Sequence, residues 1–213
     1  DLSVIAPDFY TGNCHKWMLS PLGSAFLYTR RELQEGIEPL IVSWGWSGEL
    51  GVTAGSRYLD NLQWWGTHDP TPVLSIPYAI QFMERHDWGS VAAGCRRLLA
   101  DSLARLSGEV GTACISFSGP AAQQMATLDL SPVVDVPALK DFLYNRYRVE
   151  IPCFEWKGRA LMRLSIQAYN SAAEIDRLIE GLREGLAIDR SGAIWPADPT
   201  QSEPAHRNND GCA

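Results

Sequence analysis

Short alternating or apolar runs near the start of the chain give way, from about residue 72, to longer stretches of helical period. Phe9-Tyr10-Thr11 reads as a short strand entering the polar turn Gly12-Asn13, and Ser24 to Arg30 as a second strand after the turn Ser20-Pro21-Leu22-Gly23. Leu40-Ile41-Val42 predicts a third. Residues 43–70 mix Gly, Ser, Trp and Asp without a period. They read as a long ordered loop, which in a compact domain usually carries function.

Helices dominate next. Pro72 suits the first position of a helix reaching Arg85, with Ile76, Ile80 and Met83 on one face and a kink at Pro77. A second helix is expected from Trp88 to Leu106, with Val91, Cys95, Leu98, Leu99, Leu103 and Leu106 as its apolar stripe. Ala113 to Phe117 predicts a strand. Pro137 to Arg148 predicts a helix with Leu139, Phe142, Leu143 and Tyr147 inward. Arg148 to Phe154 and Ala160 to Ile166 alternate like two strands about a turn near Lys157-Gly158. Ser171-Ala172-Ala173-Glu174 is a capping box; the helix behind it buries Ile175, Leu178, Ile179 and Leu182, and Gly185 can end it. Residues 190–213, with Pro196, Pro199 and Pro204 among polar residues, read as a mobile tail. No internal repeat is found.

Composition narrows the function classes. The 213 residues are 46% hydrophobic and 20% charged, which is globular usage, and the formal charge is -7. No basic run exceeds two residues, so a nucleic-acid partner is disfavoured. No run approaches the length of a membrane-spanning helix. Cys14, Cys95, Cys114, Cys153 and Cys212 form no CxxC and no zinc spacing. Reduced thiols in a cytoplasmic protein, with no bound metal, are the expectation. The opening Asp1-Leu2-Ser3-Val4 reads as neither a signal peptide nor an initiator methionine.

Candidate chemistry rests on a scarce residue. Of the 18 basic residues only Lys16, Lys140 and Lys157 are lysines. Lys16 stands in Asn13-Cys14-His15-Lys16-Trp17, within a stretch that holds five of the eight tryptophans before residue 66. A partly desolvated neutral amine is a nucleophile and can be held as a Schiff base. Asn13 and His15 can donate hydrogen bonds to an anion beside it, so the segment suits pyridoxal phosphate. The residues alone leave alternatives open. Lys16 can be a surface lysine beside a core tryptophan, His15 a satisfied core histidine, Thr67 a helix cap, and Arg163 the partner of Glu155 or Glu150 across strands.

Asp8-Phe9-Tyr10-x-x-Asn13-x-His15-Lys16-Trp17, followed by Ser20-Pro21-x-Gly23-Ser24-Ala25-Phe26-Leu27-Tyr28, resembles the lysine segment of class V aminotransferases. The nearest branch is the isopenicillin N epimerase-like one, related to cysteine desulfurases. Gly66-Thr67-x-Asp69 resembles the family's Gly-Thr element, and Arg163-x-Ser165-x-x-x-Tyr169-Asn170 with Glu174-Ile175-Asp176 resembles its C-terminal signature. The resemblance spans roughly residues 5–186.

It implies an α/β protein: the C-terminal part of a fold type I large domain, at the end of a mostly parallel sheet, plus a small α+β domain. The boundaries expected are 1–86 for the cofactor-binding part, 87–189 for the small domain and 190–213 for the tail. It also implies pyridoxal 5'-phosphate as cofactor, with Lys16 as the Schiff-base lysine and catalytic base. His15 and Asn13 would contact the phosphate, the latter standing where many relatives have serine. Thr67 would reach the phosphate of the neighbouring subunit in a homodimer. Arg163 would hold the carboxylate of a small amino-acid-like substrate, its planar fork matching two carboxylate oxygens.

Two departures accompany the resemblance. The aspartate that faces the pyridine nitrogen, the histidine that stacks on the ring and the first phosphate-binding turn precede this start in complete relatives, so the chain reads as a C-terminal half. The reactive loop cysteine of desulfurases has no clear counterpart, and Cys14 and Cys153 are expected to be buried and inert. Epimerisation at Cα is the leading activity. A carbon–sulfur lyase or desulfurase-like activity, or a catalytically silent domain, are the rivals.

Overall fold

The computed structural model describes residues 1–47, 51, 53–115, 124–132 and 135–196. The chain divides into two compact units, Asp1–Asp87 and Trp88–Ala213. The first opens with a one-turn helix α1 (Leu2–Ile5) and a hairpin of β1 (Phe9–Asn13) and β2 (Ala25–Thr29), paired antiparallel with Phe9 opposite Thr29 and Asn13 opposite Ala25. A 3-10 helix (Arg31–Gly36) follows. The remaining helices of this unit are α2 (Trp44–Ser47), α3 (Arg57–Gln63), α4 (Thr71–Leu74) and α5 (Ile76–Arg85).

Three expectations change here. Leu40-Ile41-Val42 forms no strand, and its side chains are exposed. An apolar run becomes a strand only where a neighbour takes its backbone groups, and among the described residues no strand pairs with this one. The supposed loop of residues 43–70 contains α2 and α3; Ser56, whose hydroxyl accepts from the Leu59 N–H at 3.2 Å, caps α3. The helix from Pro72 is two helices broken at Ser75. Pro77 has no N–H to return to the carbonyl four residues back, so the chain restarts there instead of kinking.

Among its described residues the second unit pairs a four-stranded antiparallel sheet with three helices. Its elements are α6 (Trp88–Val110), β3 (Ala113–Cys114), β4 (Met125–Asp129), α7 (Val136–Tyr147), β5 (Cys153–Trp156), β6 (Arg159–Ser165) and α8 (Ala172–Ser191), with strand order β3-β4-β6-β5. Lys157 and Gly158, both with positive φ (50° and 72°), close the β5–β6 hairpin as a type I′ turn, at the place expected. Strand β4 has no counterpart in the sequence expectations. Residues 116 and 117 of the strand predicted at Ala113–Phe117 lie outside the described residues.

One sheet face packs on the helices. Ala126 and Leu128 of β4 and Ala160, Met162 and Leu164 of β6 are buried with Leu99 and Leu106 of α6, Leu139 and Leu143 of α7, and Ile175, Leu178, Ile179 and Leu182 of α8. Helix α8 starts where the capping box predicts: the Ser171 N–H donates to the Glu174 carboxylate at 2.8 Å. It does not stop at Gly185. It runs on to Ser191, with Gly192 in the left-handed region. Gly185 instead lets α8 approach α7, since a Cβ there would lie 2.7 Å from Leu139 Cδ1. The predicted tail therefore begins inside this helix, and its residues 197–213 lie outside the described residues.

The two units differ in what they bury. Among the described residues of the first, Cys14 is the only buried hydrophobic side chain, while Phe9, Tyr10, Trp44, Trp64, Trp65 and Tyr78 are exposed. Among the described residues no helix is long and apolar enough to cross a membrane.

Candidate active site

The turn joining β1 to β2 carries Lys16, and its geometry comes from backbone hydrogen bonds. The Ser24 carbonyl receives the Cys14 N–H at 3.0 Å, the His15 N–H at 3.3 Å and the His15 ring Nδ1 at 2.9 Å. Ser20 N–H returns to the Cys14 carbonyl at 3.1 Å, and Leu19 N–H to the Lys16 carbonyl at 3.2 Å. Cys14, Ser20 and Ser24 are buried beneath the turn. The Ser24 hydroxyl donates to the Pro21 carbonyl at 2.8 Å. Gly23, at φ 97°, gives the bend that aims this carbonyl, a conformation L side chains rarely adopt.

The consequence is a fixed base with a free rim. Lys16 is exposed and makes no ion pair among the described residues. His15 is half-buried. Because a carbonyl can only accept, its Nδ1 carries a proton, which leaves Nε2, a donor when it is protonated too, for another partner. Asn13 is exposed at the end of β1. An amine, an imidazole nitrogen and an amide thus lie within four residues on one turn. This donor set fits a group with an aldehyde and a phosphate.

Thr67 is exposed and caps no helix. The carboxylate of Asp69 accepts the Thr71 N–H at 2.9 Å at the start of α4 instead, and its hydrogen bonds with Thr71 hold its pKa below the ordinary value. Arg163 lies in the second unit on β6, opposite Thr127 of β4. It is exposed on the sheet face away from the helices and pairs with neither Glu150 nor Glu155. Glu155 stands opposite Ala160, so the strand alternation sends it to the other face. The structure brings Asn13, His15 and Lys16 together; Thr67 sits on a separate exposed loop of the first unit.

Sequence reasoning passed over Ser24, whose contribution is a main-chain oxygen and so leaves no side-chain signal. It also passed over the ion pair beside Arg163. Arg159 Nη2 lies 2.6 Å from Asp129 Oδ2, and its Nε donates to the same oxygen at 3.2 Å. Arg159, with the Ser131 backbone N–H, pulls the Asp129 carboxyl from 3.8 down to about 2. A carboxyl depressed in the folded state adds stability above its unfolded pKa, and loses it as protonation sets in below. The second unit is therefore expected to lose stability as pH falls from about 4 to about 2. Urea midpoints across that window should show a shallower decline in Asp129→Asn; parallel curves would remove this pair as the cause.

Of the two thiols expected to be buried, Cys14 is and Cys153 is only partly so. Cys14 is buried, and burial pushes the Cys153 thiol up to about 11, so it stays protonated near neutrality.

The fold defines the class. The cysteine desulfurase CsdA from Escherichia coli superposes with a TM-score of 0.67 at 18% identity, covering 88% of this chain and 48% of its own. A lysine-to-alanine variant of C-DES, with glycine covalently linked to its PLP cofactor, gives 0.64 at 18% identity, covering 86% of this chain and 48% of its own. The fold is that of the C-terminal portion of these fold type I enzymes. In sequence, the isopenicillin N epimerase of Amycolatopsis lactamdurans is 33% identical over 192 residues, 86% of this chain and 48% of that protein. A probable chloroplastic L-cysteine desulfhydrase of Arabidopsis thaliana is 28% identical, covering 89% of this chain and 42% of that protein. The chain is a homologue of the isopenicillin N epimerases and cysteine desulfhydrases, in keeping with its resemblance to the class V aminotransferases. No family model matches it. It spans about half the length of the curated relatives it matches.

Proposed function

We propose that the chain carries the lysine turn and small domain of a pyridoxal-phosphate enzyme that acts at Cα of an amino-acid substrate, in the manner of an epimerase. In this reading residues 1–86 end the cofactor-binding domain and residues 87–189 form the small domain. The observation that carries it is the free Lys16 amine on a turn shared with His15 and Asn13, in a chain 33% identical to an isopenicillin N epimerase.

When bound, pyridoxal phosphate supplies an aldehyde carbon that binds amines and a conjugated ring that accepts the electron pair left at Cα. Lys16 would hold it through Nζ and, as a free amine, would take the proton from the substrate Cα. Asn13, through its amide, would hold the phosphate, as would His15 with Nε2 protonated as well as Nδ1. Thr67 serves the neighbouring subunit's phosphate in a homodimer, whose contact would also cover aromatic side chains such as Phe9 and Trp44. Arg163 grips the substrate carboxylate. Arg163→Ala is therefore expected to raise KM roughly tenfold to hundredfold, with Arg163→Lys restoring only part because an ammonium lacks the two-pronged fork. Steady-state kinetics checks this. A cytoplasmic setting suits the four described cysteines, all free thiols.

Desulfhydrase chemistry is the second reading, favoured by the 28% identity to the Arabidopsis protein. Sulfide release from cysteine separates it from epimerisation. The proposal itself is tested by adding pyridoxal phosphate, reducing with borohydride and mapping the label. Modification is expected at Lys16 ahead of Lys140 and Lys157; labelling spread evenly over the three, or none, would favour a catalytically silent domain.

A further inference from the structure

On the sheet face of the second unit that points away from its helices, one carboxylate stands between two arginines. Asp129 of β4 lies opposite Leu161 of β6, and Arg159 and Arg163 lie two residues to either side of Leu161 on that strand. Side chains alternate along a strand, so both arginines project from the same face as Asp129. Each is a diagonal neighbour of Asp129, at a backbone separation of about 7–8 Å that a long side chain spans. By register alone, Asp129 could pair with either.

It pairs with Arg159. Arg159 Nη2 and Nε donate to Asp129 Oδ2 at 2.6 and 3.2 Å, and Oδ1 accepts the Ser131 N–H at 2.9 Å. Ser131 lies on the Arg159 side of Asp129, because the Leu130 N–H meets the Ala160 carbonyl at 2.8 Å and the Ala160 N–H meets the Ser131 hydroxyl at 3.2 Å. Both carboxylate oxygens are thus drawn away from Arg163. The Arg163 backbone is fixed on both sides, opposite Thr127 and with its N–H on the Pro152 carbonyl at 3.0 Å. Its guanidinium nevertheless makes no ion pair among the described residues.

A planar fork takes a carboxylate through two parallel N–H bonds only where that edge is unoccupied. Asp129, with a side chain 19% exposed and one diagonal step away, is a built-in competitor for it. Stripped of Arg159, such a carboxylate would turn to the next guanidinium within reach. We propose that Arg159 is a positioning residue: by occupying Asp129 it keeps the Arg163 fork open to the carboxylate of the substrate. This rests on the reading of Arg163 as the carboxylate anchor in the proposed function.

The test is labelling of the whole chain with phenylglyoxal, which attacks open guanidinium groups, in the absence of cofactor, with the rate at each arginine read by peptide mass spectrometry. In the parent Arg163 should react ahead of Arg159. Arg159→Gln, at a side chain 43% exposed, should slow labelling of Arg163 about twofold to fivefold, the protection an exposed ion pair confers. Adding Asp129→Asn should restore the parent rate, which damage to the strand would not do. In the active enzyme Arg159→Gln should raise KM by the same factor at unchanged kcat, since saturating substrate displaces an internal competitor. An unchanged Arg163 rate in Arg159→Gln, a slowed rate that Asp129→Asn does not restore, or a fall in kcat instead of a rise in KM would overturn the proposal. Should Arg159→Gln lose its circular dichroism spectrum, Arg159→Lys, which keeps the charge without the fork, decides: slower labelling of Arg163 supports the proposal and an unchanged rate overturns it. The labelling needs neither cofactor nor substrate, so its failure strikes this inference alone, whereas an Arg163→Ala enzyme with unchanged KM would strike the reading beneath it.

Discussion

Lys16→Ala is expected to abolish covalent capture of pyridoxal phosphate and, in the active enzyme, to lower turnover by at least about a thousandfold. Two functions leave with the one amine, the covalent hold on the cofactor and the proton transfer at Cα, and general-base catalysis alone is commonly worth about 10²–10⁴-fold. The turn itself should survive. Its bonds run through main-chain atoms, the His15 ring and the Ser24 hydroxyl, and none uses the Lys16 side chain. A Lys16→Ala protein with an unchanged circular dichroism spectrum but no borohydride-fixed label would meet the expectation. A Lys16→Ala protein still labelled to full stoichiometry would place the chemistry elsewhere. Because Lys140 and Lys157 are the other two lysines, mapping the label leaves few alternatives.

Leu182→Ala is expected to cost the second unit about 2–5 kcal/mol, the range for emptying a fully buried leucine site. Leu182 has no exposed surface and lies in the cluster shared by α6, α7, α8 and the sheet. The neighbouring helices cannot close the gap easily, because α8 already meets α7 through Gly181, where a Cβ would lie 2.8 Å from Leu143 Cδ2. Against a typical total of about 5–15 kcal/mol, such a loss is at least about an eighth, and at its upper end a third or more, of what holds a domain folded. The thermal midpoint should fall on the order of 10–20 °C. Leu22→Ala, at a residue 83% exposed, provides the contrast and should stay within about 0.5 kcal/mol of the parent. Equal shifts for the two variants would contradict the buried cluster as the source of stability.

What the sequence reveals of the fold follows from how local the cause is. The Ser171 and Glu174 cap, the Lys157-Gly158 turn and the α7 stripe depend on residues a few positions apart, and each appears where the pattern predicts. Strand β4 depends instead on β6, some 35 residues later, and its five residues give too brief an alternation to stand out. Gly185 looks like a helix end because glycine is common there. Its use is steric and visible only once Leu139 is set against it. In the candidate site, Asn13, His15 and Lys16 are legible because they are contiguous. The isolation of Arg163 from Glu155 needs the strand register.

The oxygen at position 24 has a genetic consequence. Codon changes can remove the imidazole at 15 or the amide at 13, but none deletes a peptide carbonyl, so the scaffold beneath the amine is insulated from drift in its own side chains. Its vulnerable point is one residue away, at Gly23, where nearly every missense change would twist the peptide that presents that oxygen.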